Sequence, residues 1–481
     1  MANDLRILIY GINYSPELTG IGKYSGEMAE WLASHGHEVR VVTAPPYYPE
    51  WRVAEGYSAW GYRREVHPLP DGITSHSTRL PNNASQVAGY NPPPQGGGDL
   101  LVWRCPVWVP RRPSGAKRLL HLASFALSSL PVMLRQIFWK PDVVMVIEPP
   151  LMCAPVALLV ARLCGAKAWL HIQDFEVDAA FDMGILPPGR LRNWMLRVER
   201  ILMRAFDCVS TISPKMLARV VEKGVDPVRA VLFPNWVDTE MIHPLDGVGA
   251  LRAELGIAAD RIVALYSGNM GEKQGLEVVL EAAKKLQAER NKGQVNFSEA
   301  SPTPTLPRWE REAKKVEHEE LAPCIFNLAP DVLFVLCGDG AARQRLMERY
   351  PDLPNVMWMP LQSLDRLNEL LNMADIHLLP QREGVADLVM PSKLTGMLAS
   401  GRPIIATAQP ATQVASVVSR CGIVTMPGNV EELIQGVARL AIDADLRAEY
   451  GKKARMYALK NLDKQVILDC FEKDLKAAAA A

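Results

Sequence analysis

Apolar residues along this chain cluster in short runs, and polar, helix-forming stretches separate them. LRILIYG at 5–11, EVRVVTA at 38–44, DVVMVIE at 142–148, AWLHI at 168–172 and CVSTI at 208–212 are rich in β-branched and aliphatic residues. Such continuous runs mark strands buried on both faces. Between the first two, Met28, Trp31 and Leu32 recur at helical spacing. A second series follows Pro234: RIVALYSG at 261–268, DVLFVLCGDG at 331–340, NVMWMP at 355–360, IHLLP at 376–380 and PIIATA at 403–408. Strands alternating with helices imply parallel sheets, so the pattern predicts an α/β chain of two doubly wound, Rossmann-like halves.

The division is expected near FPNWVD at 233–238, where a Pro-Asn turn follows the last strand of the first series. This gives a first domain over 1–234, a second over 235–443, and a helical segment over 444–481 expected to return to the first domain. A ligand cleft is expected between the halves. Two stretches break the alternation and read as surface insertions: about 71–101, with PNN, NPPP and GGG, and about 288–323, with SPTPTLP and a mixed charge run.

Composition narrows the class. At 481 residues the chain exceeds one ordinary core. Lys plus Arg and Asp plus Glu both number 53, so no global field favours nucleic acid, and any anion site must be local. The eight cysteines lie scattered without a C-x-x-C pair, which predicts reduced core thiols and no zinc site. The start MANDLRILIYGINY has a strand pattern and not that of a signal peptide, so a cytoplasmic location is expected. The longest apolar stretch, Met145 to Leu163, is broken by Glu148, Arg162 and three prolines, and no spanning helix is expected.

Ligands of open α/β sheets sit beyond the carboxyl ends of the strands, which directs attention to four loops. In NYSPELTGIGKYSG, Gly20 and Gly22 precede a helix whose first amides suit an anion, although a plain turn has the same look. In SGNMGEKQGLE, Gly268, Gly271 and Gly275 bracket Lys273. No Walker pattern is present, but a pliable backbone with one ammonium at a helix start suits a diphosphate. In QREGVADLVMPSKLTG, the acids Glu383 and Asp387 precede Pro391, Ser392 and Lys393, with Ser392 read as the helix N-cap. In HIQDFEVD, His171 lies inside a strand, where a hydrogen-bonded core histidine is an equal reading, and Asp174 just past its end is the better catalytic candidate. Finally, 110–140 mixes Arg111, Arg112, Lys117, Arg118, Arg135 and Lys140 with Leu, Phe and Trp. That is the make-up of a helix for an anionic membrane surface, or of a core-facing helix with a basic solvent side.

Taken together, the opening segment, HIQDFEVDAA, FPNWVD, SGNMGEKQGLE and DLVMPSKLTGMLASGRPIIA resemble the retaining family 4 glycosyltransferases of GT-B fold, most closely those of colanic acid and related exopolysaccharide biosynthesis. The resemblance implies that Gly20, Gly22 and Lys23 lie beside donor phosphates and acceptor. It maps the family's Arg-and-Lys diphosphate clamp onto Asn269 and Lys273, so Lys393 is expected to supply the charge that Asn269 lacks. The family's paired glutamates would fall at Leu388 and Gly396, which leaves Asp387 as a displaced substitute. Nucleotide recognition is expected around Gly338 and Asp339. Asp174, Lys273 and Asp387 are the catalytic candidates.

The implied reaction is metal-independent and cofactor-free transfer, with retention, from a GDP- or UDP-sugar, GDP-fucose among them. The implied acceptor is a polyprenyl-diphosphate-linked saccharide at the inner face of the plasma membrane. A nucleotide-sugar epimerase of the same fold and a non-catalytic nucleotide-sugar binder are the competing readings.

Overall fold

The structure, a computed structural model, describes residues 4–17, 20–67, 100–111, 115–149, 151–175, 189–247, 249–292, 330–383 and 390–481. It divides into two compact units: Met1–Trp236 together with Lys464–Ala481, and Val237–Asp463.

The first unit contains, in chain order, β1 (Arg6–Tyr10), α1 (Gly20–Ser34), β2 (Glu38–Thr43), β3 (Arg63–His67), β4 (Leu100–Arg104), α2 (Gly115–Gln136), β5 (Val143–Glu148), α3 (Ala154–Cys164), β6 (Lys167–Ile172), α4 (Arg190–Arg204), β7 (Cys208–Thr211), α5 (Pro214–Glu222) and β8 (Ala230–Leu232). Its eight strands lie in the order β3-β4-β2-β1-β5-β6-β7-β8. Every neighbouring pair is parallel except β3 against β4. Ile9 sits opposite Val41 on one side and Met145 on the other. All six residues of β5 are buried, as a parallel strand covered on both faces must be.

Three of these strands lie outside the expected runs: β3, β4 and the short β8. β3, RREVH, is a charged edge strand without an apolar run, and such charge blunts an open edge. β4 includes Leu100 and Leu101, so the first interruption of the alternation ends before residue 100 and not at 101. Among the described residues the one helix long and apolar enough to cross a membrane, by length and composition alone, is Lys117–Trp139 and not a segment after Met145, with 28% of its most apolar window buried.

The second unit contains α6 (Ala250–Glu254), β9 (Ile262–Ser267), α7 (Glu277–Lys292), β10 (Val332–Cys337), α8 (Arg343–Arg349), β11 (Val356–Met359), α9 (Leu367–Asn372), β12 (Ile376–Leu379), α10 (Ser392–Ala399), β13 (Ile404–Thr407), α11 (Gln413–Val418), β14 (Gly422–Thr425), α12 (Val430–Ile442) and α13 (Ala444–Asn461). Its six parallel strands run β11-β10-β9-β12-β13-β14. Gly422 opens β14 because a Cβ there would stand 1.9 Å from the Ile404 carbonyl oxygen.

Helix over 444–481 is interrupted at Leu462–Asp463, where the chain passes from α13 to α14 (Lys464–Ala480). Ile467, Leu468, Phe471 and Leu475 of α14 are buried in the same cluster as Ile7, Ile9 and Trp169 of the first sheet. The rings of Phe233 and Phe471 stack at 3.9 Å. Seven cysteines are free thiols among the described residues, and Cys470 is exposed, not in the core as expected.

Candidate functional site

In each unit the strand order reverses at one point, and the loops flanking that point are where a doubly wound sheet receives a ligand. In the second unit the reversal lies between β9 and β12. The loop after β9 carries Gly268 to Gly275, and the loop after β12 leads to Ser392 and Lys393. The two are joined by the Arg382 amide, which donates to the Lys273 carbonyl at 3.0 Å.

The glycines here permit close backbone approach. Gly338, after β10, adopts φ +142°, and a Cβ on it would lie 2.0 Å from the Gly268 carbonyl oxygen. The turns after β9 and β10 are also bonded, through the Gly268 amide to the Cys337 carbonyl at 2.9 Å and the Met270 amide to the Asp339 carbonyl at 2.8 Å. The Asn269 side-chain oxygen lies 2.4 Å from where a Cβ on Gly340 would stand, so that side chain rests across the neighbouring turn.

Lys393 reaches this turn from the first residues of α10. Its Nζ donates to the Tyr266 hydroxyl at 2.8 Å and lies 4.4 Å from the centre of that ring. The Tyr266 hydroxyl in turn donates to the Asn269 carbonyl at 2.5 Å. Nζ stands 3.2 Å from the place of a Cβ on Gly268. Burial pulls the Lys393 ammonium down to about 8 and pushes the Tyr266 phenol up, since both lose water around their charged forms. Lys273 is exposed, within a single 3-10 turn at Glu272–Gln274.

Ser392 is the first residue of α10 and not its N-cap. Pro391 takes that place in an extended conformation with φ −60° and ψ 132°, and no side chain caps the helix. Asp387 and Leu388 lie outside the described residues, while Glu383 is exposed. At Gly396, a Cβ would meet Leu371 Cδ1 at 3.3 Å, so a side chain there faces an apolar neighbour. The sequence reading missed two arginines beside this loop. Arg345 pairs with Glu272 at 2.8 Å and Glu277 at 3.1 Å, and Arg382 pairs with Glu277 at 2.7 Å. Only contacts distant in sequence bring them there.

In the first unit the reversal lies between β1 and β5. Gly20 and Gly22 are the first and third residues of α1 rather than preceding it. Gly20 has φ +62°, and a Cβ on it would meet Tyr48 Cε1 in ordinary contact at 4.0 Å. Gly22 makes room within the protein, because its Cβ would lie 2.5 Å from Glu17 Oε2. Lys23 pairs with Glu27 at 3.3 Å, and Glu27 also accepts from the Trp236 indole at 2.7 Å. Burial opposes ionisation of Glu27, but Lys23 and Lys464 hold its carboxyl below the usual range.

His171 is a hydrogen-bonded core histidine. Its Nδ1 bonds the Ser210 hydroxyl at 2.9 Å, and its Nε2 lies 2.9 Å from Gln173 Nε2. Because the Gln173 amide nitrogen can only donate, His171 carries its proton on Nδ1. Burial drops its pKa to about 3. Gln173 and Asn235 exchange two amide hydrogen bonds of 3.0 Å, which ties HIQD to FPNW. Asp174 is exposed just beyond. Among the described residues no group of three His, Cys, Asp or Glu side chains could hold a metal ion.

On α2, Leu120 (60% exposed), Leu127 (73%) and Leu134 (36%) recur every seven residues, and Phe138 beyond the helix is 89% exposed. Lys117, Arg118 and Arg135 are exposed on the same element.

Comparison with known proteins agrees with this architecture. Residues 19–236 match the glycosyl transferase 4-like domain, and 318–443 match glycosyl transferases group 1. The putative colanic acid biosynthesis glycosyl transferase WcaI of Escherichia coli strain K12 is 40% identical over 480 residues, 98% of this chain and 100% of that protein. Among solved structures, sucrose-phosphate synthase from Thermosynechococcus elongatus superposes with TM-score 0.66 at 14% identity, covering 99% of both chains. Anabaena Alr3699/HepE in complex with UDP-glucose gives 0.60 at 13%, covering 98% of this chain and 100% of that one. At such identities these two show the fold, a GT-B arrangement of two α/β domains, and nothing finer.

Proposed function

The chain belongs to the glycosyltransferases that join a glycosyl transferase 4-like domain to a group 1 domain, and from that premise we propose that it moves a sugar from a GDP- or UDP-sugar to a lipid-linked saccharide in the assembly of a colanic acid type exopolysaccharide. The second unit holds the donor and the first the acceptor. One observation carries the donor assignment: Lys393, Tyr266 and Gly268 meet at the switch point of the second sheet, beside the loop that bears Lys273.

Cleaving the anomeric carbon–oxygen bond of a nucleotide sugar builds positive charge on the ring and negative charge on the departing phosphate. Fixed donors aimed at that negative charge are the largest help a protein can give. Lys273 and Lys393 are the ammonium groups for it. Gly268 and Gly338 let the backbone come close, with Asn269 and Asp339 beside them, and the first amides of α10 from Ser392 onward face the same phosphates. Gly20, Gly22 and Lys23 serve the donor phosphates and the acceptor, and Asp174 orients the acceptor hydroxyl. With two ammonium groups and helix amides balancing the leaving charge, the transfer needs no metal ion, and it proceeds with retention at the anomeric carbon. The exposed leucines of α2 among basic residues support peripheral contact of the 110–140 segment with an anionic membrane at its cytoplasmic face.

Labelled GDP- and UDP-sugars, incubated with the protein, a membrane lipid extract and EDTA, test the proposal. Label is expected in the lipid fraction at the rate seen without chelator. An isomerised donor would indicate an epimerase instead, and bound but unchanged donor a simple binder.

A further inference from the structure

Two loops of the first unit, after β1 and after β2, are held together by an unusual pair of buried charges. From the end of β4, the Arg104 guanidinium, 2% exposed, donates to the Ser15 carbonyl at 2.6 Å and the Ala44 carbonyl at 3.2 Å. Its remaining edge bonds Glu65 at 3.1 Å. Opposite, the Glu17 carboxyl, 5% exposed, accepts the amides of Tyr47 and Tyr48 on one oxygen at 3.1 Å each, and Asn13 Nδ2 on the other at 3.0 Å.

Burying a carboxylate costs stability unless its hydrogen bonds are fully made, so such a group is better understood by what it fixes in place. Burial raises the Glu17 pKa, while the two amides, Asn13 and the charge of Arg104 pull against that rise. The carboxyl dictates the course of the segment from Tyr47 to Trp51, where Trp51 takes φ +52°, a conformation that bulky residues rarely adopt. Tyr47 is packed away at 4.7 Å from the His121 ring and 5.7 Å from that of Trp51. Tyr48, its neighbour, is turned outward and 40% exposed, with its ring edge at the Gly20 turn where α1 begins.

We propose that Tyr48 is an acceptor contact, a platform on which a pyranose ring of the saccharide stacks, and that Glu17 is the positioning residue that aims it. A flat apolar ring with a polar tip, fixed by backbone bonds and standing beside a helix start, fits the C–H face and hydroxyl rim of a sugar better than it fits a charged group. The inference rests on the reading that the first unit takes the acceptor.

The test compares wild type, Tyr48→Ala, Tyr48→Phe, Glu17→Ala and Glu17→Gln with labelled nucleotide sugar. Transfer is measured across a range of membrane lipid extract, and hydrolysis of donor by water is measured without extract. Tyr48→Ala is expected to raise the extract needed for half-maximal transfer by roughly tenfold, with donor hydrolysis within about twofold of wild type. Tyr48→Phe keeps the ring but loses the polar tip, and retains most of the transfer. Glu17→Ala copies Tyr48→Ala, whereas Glu17→Gln, whose one oxygen still accepts both amides, restores most of the activity.

Wild-type transfer by Tyr48→Ala would overturn the proposal, as would parallel loss of transfer and hydrolysis. Equal damage from Glu17→Gln and Glu17→Ala would mark Glu17 as an acid or base instead. Wild-type protein that labels no lipid would refute the transferase reading itself, a result distinct from a wild type that transfers and a Tyr48→Ala that does so equally well.

Discussion

Lys393 and Lys273 offer charge to the same loop under different conditions. Lys273 is exposed, whereas Lys393 leans on a tyrosine ring and is poised at about 8. A fixed, half-dried ammonium needs little rearrangement when a phosphate arrives. Lys273→Ala is therefore expected to lower kcat by roughly 100-fold, and Lys393→Ala by a comparable factor; a loss below about threefold in either would remove that residue from the mechanism. Sequence alone marked both lysines, because each sits near glycine or proline at the start of a helix that follows a strand. It did not show Tyr266 beneath Lys393, since one tyrosine within an apolar run looks like any other core residue. The buried histidines set a pH limit as well. His171 and His377 fall to about 3 through burial, against 6.5 in an unfolded chain. Between those values the unfolded state binds more protons, so stability present above pH 6.5 is lost as pH falls, by at most roughly 1.4 kcal/mol per pH unit for each ring. Urea unfolding at pH 7.5 and 5.5 should show this decline, and His171→Gln and His377→Gln should each reduce it; a decline that both variants leave untouched refutes the assignment.

Elements were legible where burial on both faces made the pattern continuous. β1, β5 and β9 stand within a residue of their expected bounds, and β10 ends three residues early at Cys337. β3 and β14 escaped notice for physical reasons: β3 is polar because it is an edge, and β14 begins with a glycine required by the Ile404 carbonyl. α2 was legible as amphipathic, but which way its leucines face was not. The structure leaves Leu120 and Leu127 in solvent among Lys117, Arg118 and Arg135. Binding to vesicles containing anionic lipid is expected, with release at high salt. Leu127→Asp should weaken that binding severalfold while leaving the thermal midpoint within about 2 °C, since the residue supports no core. Equal partition of wild type and variant at every salt concentration would exclude α2 from the contact.

At the scale of the whole molecule, the interruption between α13 and α14 carries no glycine or proline signal. Contacts from far upstream make it: the Val237 amide donates to the Leu462 carbonyl at 2.8 Å, and the Thr239 hydroxyl bonds Asp463. Beyond that point α14 supplies part of the first unit's core. Deleting 464–481 should therefore lower the melting transition of the first unit or abolish it, while the second unit melts as before. Phe471→Ala alone should cost about 3–5 kcal/mol, as loss of a large buried ring usually does. Calorimetry resolving two transitions would check both; a truncated protein that melts as wild type would contradict the assignment. This arrangement also bears on how the protein is made. The first unit lacks its last core helix until 464–480 has been made, whereas 237–463 is one uninterrupted segment and can fold as soon as it emerges. The part synthesised first is thus finished after the second, and while 237–463 is being made the nascent chain carries a sheet with all eight strands whose apolar face, awaiting α14, needs protection.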